Sequence, residues 1–595
     1  MTMNTPISKQ VPTGTTLPDN NMHAIVVSIP SWKAGIDYRE GVPEVCDKLR
    51  LGYPRFMYNE RVMQLGRECL KRLHLDVARY GCLPMQTREA ARQCRDHLNK
   101  HNKQKHEHEH EHTHPDSDSI VVDTVTIGQY AVHVIAYPIE HDKTAKHFWE
   151  MVGCGITSRF AHRCLNEVGI AMPNVLLKHN ISPEAATRQT LPADCLPEDQ
   201  VDKAKQLIKQ RLVSVIQRTY ADAEDAGAEF TQQHPSALAL NEDNAYLYPC
   251  GMNAIYNLHR LLGFMKTKRK TVCYGFPYLC AHKILDKVGS GSIFYGHGSE
   301  EELDDLEKRL ADPAQERILS IFCEFPSNPL LKAPNIRRLR ALADQHDIPL
   351  LIDGTVGGFS NCLLFPYADV MIVSLTKLFS GSSDVMGGCL VVNTTRSHGA
   401  RLQHALNVDG GDGRPGYEDT TWWEDMLVLE RHSRTFTERE ARINKTAETI
   451  CDYLRAHPKV AAVYYPKYTS DGAYDSYKRQ GGGYGCLFSL TFHTPQAAIA
   501  FFDALLCPKG TSFGTVYTLA VPYTILAHYT EQEWALQYDV PLYLIRVTVG
   551  LEDVEAIRTM FDVALAAIPD EDVETIRAKF DLTLSAIADE DASRQ

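Results

Sequence analysis

The chain has 595 residues, 44% of them hydrophobic and 23% charged, and a formal net charge of −13. That is the composition of a globular protein with several cores to fill, and the negative balance argues against nucleic-acid or basic membrane-surface binding, which need a positive field. No apolar run approaches the ~20 residues of a membrane helix, and the opening MTMNTPISKQVPTGTTLPDNN has no basic end followed by an apolar core, so neither a span nor a secretory leader is expected. Sixteen cysteines stand singly with no C-x-x-C pair, which predicts reduced thiols and a cytoplasmic protein.

Residues 1–25 are polar and expected to lack structure. HAIVVSIPSW (23–32) reads as a strand, GYPRFMYN (52–59) as a loop, and Arg61 to Leu75 as a helix. HLNKHNKQKHEHEHEHTHPDSD, about 97–118, is low-complexity sequence expected to form an exposed loop. Its His106, His108, His110, His112 and His114 alternate mostly with Glu, a pattern that can chelate a transition metal. The i, i+2 spacing fits no helical face, so a repeat-expanded surface loop is preferred and no metal site is assigned. VVDTVTIG (121–128) and YAVHVIAYPI (130–139) read as strands, with helical stretches to about 230.

From about 245 the rhythm changes to alternating strands and helices. TVCYG, ILSIFCEF, PLLID, VMIVSL and CLVVN are short apolar runs, several separated by helical patterns, which implies a mainly parallel sheet covered by helices. One long helix is expected over 424–455, and AAVYYP, CLFSLTF and YLIRVTV suggest a smaller C-terminal α/β domain. EDVEAIRTMFDVALAAIPD (552–570) recurs as EDVETIRAKFDLTLSAIAD (571–589). Ile557, Phe561, Leu565 and Ile568 thereby recur as Ile576, Phe580, Leu584 and Ile587, each set spaced for one helical face.

The chemistry concentrates in LIDGTVGGFSNCLLFPYADVMIVSLTKLFSGSSDVMGG, residues 351–388. Asp353 ends one buried strand; Ser374, Thr376 and Lys377 end the next. Ligands of parallel α/β sheets bind at the carboxyl ends of strands, so these groups should share a crevice. An acid, two hydroxyls and an amine suit a cofactor with a protonated ring nitrogen, a phosphate and an aldehyde, which describes pyridoxal phosphate.

This block resembles the Cys/Met-metabolism family of pyridoxal-phosphate enzymes, whose fungal cystathionine γ-synthases are the nearest in pattern. The resemblance implies a fold-type I, aspartate-aminotransferase-like architecture: a mainly parallel seven-stranded large domain, a smaller C-terminal α/β domain, an N-terminal arm and an inserted segment. The expected divisions are an arm over 1–60 that reaches a neighbouring subunit, an insertion over 61–240, a cofactor domain over 241–400 and a small domain over 401–595. Lys377 falls on the Schiff-base position, Asp353 on the partner of the ring nitrogen, and Ser374 and Thr376 on the phosphate-binding hydroxyls. In PCGMNAIY, Gly251 and Met252 would offer helix-start amides to the phosphate; Pro249 and Cys250 depart from the usual S-S there. Tyr274 matches the tyrosine that stacks on the ring and is counted with Lys377 as catalytic. Asn328 matches the asparagine at the phenolic oxygen, Glu324 the glutamate before it, and Arg546 the arginine for the substrate carboxylate. Tyr53 and Arg55 match a pair that reaches a neighbouring subunit's phosphate, which implies a homotetramer with shared sites.

In the stretch 512–528, Tyr517 replaces the glutamate of many γ-acting members and Thr518 the serine after it; both are assigned to the substrate's distal end. The expected reaction is γ-replacement on an O-acylated homoserine by L-cysteine to give cystathionine. Sulfhydrylation, cystathionine lysis and carbon–carbon bond formation in secondary metabolism remain alternatives within the family, and a non-catalytic regulatory or metal-binding scaffold remains one outside it.

Overall fold

The structure is a computed structural model that describes residues 11–49, 51, 57–106, 119–171, 198–225, 240–408, 415–469 and 471–569. Two short strands, β1 (Thr16–Leu17) and β2 (Val26–Val27), pair antiparallel near the N-terminus. Next come β3 (Tyr80–Met85), β4 (Val121–Ile127) and β5 (Tyr130–Pro138), an antiparallel sheet of order β3-β5-β4. Period-2 alternation sorts β5 between two cores: Val132, Val134 and Ala136 face Leu65, Cys69 and Leu70 of the helix Glu60–Arg72. Ile135 and Tyr137 join the opposite cluster, which contains Ala91 and Leu98 of the helix Arg88–His106, Trp149, and Met252, Ile255 and Tyr256 of the large domain. The N-terminal unit therefore shares a hydrophobic core with the domain that follows it.

That domain is built on seven strands: β6 (Ala245–Tyr248), β7 (Thr271–Tyr274), β8 (Ser292–Tyr295), β9 (Ile321–Glu324), β10 (Leu350–Asp353), β11 (Val370–Val373) and β12 (Gly388–Val392). Their order is β6-β12-β11-β10-β9-β7-β8, and only β12 runs antiparallel to its neighbours. Helices cover both faces, so the strands read as continuous apolar runs rather than alternating ones. Ile321, Cys323, Ile352, Met371 and Val373 fill one face; Phe322, Leu351, Val370 and Ile372 fill the other. The helix Glu198–Asp225 packs Ile208, Leu212 and Ile216 on the first face, so this part of the 61–240 segment belongs to the large domain's core.

The small domain carries an antiparallel sheet of β13 (Val460–Tyr464), β14 (Leu487–Phe492), β15 (Leu519–Pro522) and β16 (Ile545–Thr548), in the order β13-β14-β16-β15. The expected helix over 424–455 is two helices, Trp423–Ser433 and Phe436–Arg455. Arg439 Nη1 donates to the His432 carbonyl at 2.7 Å and to Thr435 Oγ1 at 2.8 Å, satisfying groups that the break frees. Similarly, the helix Arg88–His106 carries regular structure through His97–His106, where a loop was expected; Cys94 and Leu98 on its inner face are fully buried. His108 to His114 and the second terminal repeat lie outside the described residues. The first repeat forms the helix Val554–Ala566, which buries Ile557, Phe561 and Leu565, with Ile568 just beyond it.

The N-terminal segment lies on the small domain of its own chain. Trp32 stacks on Tyr543 at 5.6 Å and meets Phe502 edge-on at 5.9 Å, and its amide donates to Asp503 Oδ1 at 2.7 Å. Lys509 Nζ donates to the Pro30 carbonyl at 2.9 Å.

Candidate active site

The parallel strands deliver their last residues to one edge. Asp353 and Glu324 end β10 and β9 in register, so two buried carboxylates stand side by side. Burial pushes the Asp353 carboxyl up to about 6, and its oxygen accepts from the Thr355 amide at 2.9 Å. Burial and then the neighbouring Asp353 charge push the Glu324 carboxyl well above the usual carboxylate range. Glu324 accepts from the Tyr278 amide at 2.6 Å, which holds the residue that opens the helix Leu279–Lys287 against the crevice.

On the next strand, the Ser374 amide donates to Thr355 Oγ1 at 2.8 Å, so Thr355 ties Ser374 to Asp353. Lys377 follows in a tight turn, its amide donating to the Ser374 carbonyl at 3.3 Å. Its Nζ donates to Ser512 Oγ at 3.0 Å and lies 5.0 Å from the Phe513 ring centre. The helix Gly251–Met265 starts against Ser374: a Cβ on Gly251 would sit 2.9 Å from the Ser374 Cβ, so glycine permits the approach. Cys250 is the N-cap of this helix and makes no side-chain capping hydrogen bond, its thiol lying beside the Met252 and Asn253 amides at the positive helix end.

The third part comes from the small domain. Arg546, in β16, donates to Asn328 Oδ1 at 3.0 Å and to the Ser512 carbonyl at 3.2 Å. Its guanidinium lies 4.7 Å from the Tyr523 ring centre and 5.2 Å from that of Phe513, which supports a buried cation that water does not. Asn328 is fully buried, and its Nδ2 has no hydrogen-bond partner among the described residues.

Asp353, Glu324, Asn328, Ser374, Lys377, Arg546 and the Gly251–Met252 helix start are thus linked to one another at the carboxyl edge of the sheet. Other expected residues are engaged elsewhere. Tyr274 ends β7 and is fully buried, and its hydroxyl donates to the Ser299 carbonyl; that hydrogen bond and its burial, which raises the phenol, hold it as a core side chain. Thr376 donates to the Gly387 carbonyl at 3.2 Å and accepts from the Gly387 amide at 3.1 Å, bracing a loop. Thr518 Oγ1 donates to Glu552 at 3.0 Å and accepts from the Gly550 amide at 3.1 Å. The Tyr517 hydroxyl donates to the Leu17 carbonyl at 3.2 Å. Tyr53 and Arg55 lie outside the described residues.

Sequence reasoning missed Thr355, Tyr278, Ser512 and Phe513. Ser512 and Phe513 open the stretch read for Tyr517 and Thr518, and only their contacts in the folded chain reveal that these residues meet Lys377 and Arg546. A second tyrosine four residues past Tyr274, at the start of a helix, was the available signal for Tyr278.

Residues 227–566 match the family model described as Cys/Met metabolism PLP-dependent enzyme, and residues 61–157 match that of the fungal trans-sulfuration enzyme N-terminal domain. The cystathionine gamma-synthase of Neurospora crassa is 33% identical over 93% of this chain and 97% of its own. A cystathionine gamma-synthase-like enzyme of Amanita muscaria, iboG2, is also 33% identical, over 94% of this chain and 97% of its own. The alanine racemase ungC of Aspergillus violaceofuscus is 29% identical over 92% and 95%. Among solved structures, the cystathionine gamma synthase of Xanthomonas oryzae pv. oryzae aligns over 56% of this chain and 84% of its own, at 23% identity and a TM-score of 0.46.

Proposed function

The chain belongs to the Cys/Met-metabolism family of pyridoxal-phosphate-dependent enzymes, and on that premise we propose that it transfers the four-carbon unit of an O-acylated homoserine to L-cysteine, giving cystathionine. The residues present fit the cofactor. Asp353 is a carboxylate held high by burial, and a protonated ring nitrogen would give it a charged partner. Asn328 Nδ2 is a buried donor that suits an oxygen substituent, and the helix start beside Ser374 suits a phosphate. Lys377 is the amine to which the cofactor would attach. When bound, pyridoxal phosphate supplies an electron sink for negative charge developing beside the substrate's amino group.

The observation that carries the reading is the meeting at Ser512, whose hydroxyl holds Lys377 Nζ and whose carbonyl holds Arg546. A carboxylate receptor and a basic amine within one residue's reach define an α-amino acid site. Arg546 takes the α-carboxylate bidentately and fixes Cα beside Lys377. Lys377, as the free amine, takes the Cα proton and serves the proton transfer at Cβ. In the whole reaction the Cγ–O bond to the acyl group breaks, a Cγ–S bond to cysteine forms, the acyl group leaves as a carboxylate, and the thiol proton goes to solvent. The γ-position is supported by the near-full-length likeness to the Neurospora protein.

A second reading, another nucleophile or outcome at the same site, is favoured by Tyr517 at a position where γ-acting members carry glutamate and by the likeness to iboG2 and ungC. Purified protein offered O-acetyl-, O-succinyl- and O-phosphohomoserine, with and without cysteine, separates the two. Cystathionine formed only with cysteine is expected. Product without a thiol, or no turnover with any of these donors, overturns the first reading. We further propose a cytoplasmic homotetramer, with Tyr53 and Arg55 serving a neighbouring subunit's site. A monomeric mass by light scattering overturns that assembly.

A further inference from the structure

The loop after Lys377 is gripped from the N-terminal side of the chain. Arg159, in the helix Ser158–Glu167, is buried; its Nη1 donates to the Asp384 carbonyl at 2.7 Å and to Asp425 Oδ1 at 2.8 Å, and its Nη2 lies 3.8 Å from Asp384 Oδ2. Asn21 Nδ2 donates to the same Asp384 carboxylate at 3.1 Å, and the Ile25 amide donates to the Ser383 carbonyl at 2.8 Å. Ser383 has a φ of +58°, a left-handed conformation that a side-chain-bearing residue keeps only when its surroundings impose it. The far end of the loop is tied back to Lys377's neighbour by the two hydrogen bonds between Thr376 and Gly387. Its near end is fixed by the Gly381 amide on the Lys377 carbonyl at 2.8 Å.

We propose that Arg159 is a positioning residue for Lys377: the N-terminal unit, through Arg159, Asn21 and Ile25, sets the geometry of the loop 378–387 and so the affinity of the chain for its cofactor. The added N-terminal region is then a working part of the cofactor site, although none of these three residues touches Lys377. Asp384 is the hub. It receives a guanidinium from one element and a side-chain amide from another, so the charge on the loop is answered from two directions, and the His432 ring, held below its usual pKa by burial, lies 3.4 Å from its Oδ1. Arg159 carries the most weight, because one guanidinium joins the loop carbonyl to the Asp425 carboxylate of the helix Trp423–Ser433.

The proposal rests on cofactor attachment at Lys377 and not on the γ-replacement, and its test uses no substrate, so a failed turnover assay leaves it standing. The full chain carrying Arg159→Ala, Arg159→Lys or Asn21→Asp is titrated with pyridoxal phosphate by its visible absorption. Hydrogen exchange is followed for peptides spanning 378–387 in the cofactor-free proteins. Arg159→Ala should weaken cofactor binding about tenfold or more and speed loop exchange, with exchange in β3–β5 unchanged. Arg159→Lys, with the charge but not the fork, should fall between it and the wild type. Asn21→Asp, isosteric and repelling Asp384, should weaken binding by roughly threefold, and it decides the matter if Arg159→Ala fails to fold. Wild-type affinity and wild-type loop exchange in the variants that fold overturn the proposal, as does faster exchange spread evenly over the chain.

Discussion

Arg546 donates to the side-chain oxygen of Asn328 at 3.0 Å, and this bond orients both groups at the crevice. It leaves Nδ2 as the amide's remaining donor, and it fixes a guanidinium that the rings of Tyr523 and Phe513 flank. Receptor and cofactor contact are therefore set by one hydrogen bond between the two domains.

Replacing Arg546 with Ala should lower kcat/KM about 10²–10³-fold, the scale of a lost charge-assisted fork, while the cofactor stays bound. Steady-state kinetics with a parallel visible spectrum separate the two effects. Wild-type kinetics would mean that the carboxylate is bound elsewhere.

Lys377→Ala should abolish the visible band of the bound cofactor and the turnover. Borohydride treatment of the wild type should place the cofactor's mass on the peptide containing Lys377, and on no peptide of the variant. A trapped adduct on another lysine would remove Lys377 from its role.

Cofactor affinity should fall with acidity because of Asp353. Its carboxyl titrates near 6 in the folded chain, and a cationic ring nitrogen binds the ionised form, so affinity is full above that value and declines below it. At pH 5 about one-tenth of the group is ionised, which predicts binding roughly tenfold weaker than at pH 7.5. The sign for stability is the reverse. The folded value lies above the ordinary 3.8, so the cofactor-free fold loses stability as pH rises from about 4 to 6 and is level beyond. Asp353→Asn should flatten both profiles in this window; an unchanged affinity profile would exclude Asp353 as the cation's partner.

Ser512→Ala should cut kcat by about tenfold, the cost of one hydrogen bond to a charged amine, with little change in cofactor affinity. Stopped-flow measurement of Cα proton exchange tests it, because Ser512 bears on the position of Lys377 and not on leaving-group departure. An unchanged exchange rate would show that the contact is incidental.

Thr518→Val should lower stability by about 1–3 kcal/mol, since it removes one of the two hydrogen bonds Thr518 gives the Glu552 carboxylate and leaves the Gly550 amide without its acceptor, and should leave KM unchanged. Urea unfolding and substrate titration give the two numbers. A rise in KM at constant stability would return Thr518 to the substrate.

Much of this arrangement was legible because strand ends are legible. Asp353 and Lys377 follow apolar runs too short for helices, and the carboxyl-edge rule of parallel sheets places such residues together. Arg546 stood out as a charge inside an apolar strand. Tyr274 misled for the same reason: it too ends a strand, yet it is fully buried and its hydroxyl is tied to the Ser299 carbonyl. Thr518 and Tyr517 were assigned from their correspondence with the serine and glutamate of γ-acting family members, and no local pattern reveals that Glu552, thirty-four residues on, takes up the Thr518 hydroxyl. The split at Arg434–Thr435 was hidden because both flanks keep helical spacing, while the arginine that supports the break lies on the second helix.

The seat of Trp32 between Phe502 and Tyr543 has a consequence for how the protein is made. A ribosome releases Trp32 some 470 residues before Asp503, the acceptor of its amide, exists. The first-made segment must wait for nearly the whole chain before it can take its place. The segment closes late, as a clasp, and a nascent chain cut short of Phe502 leaves that clasp open.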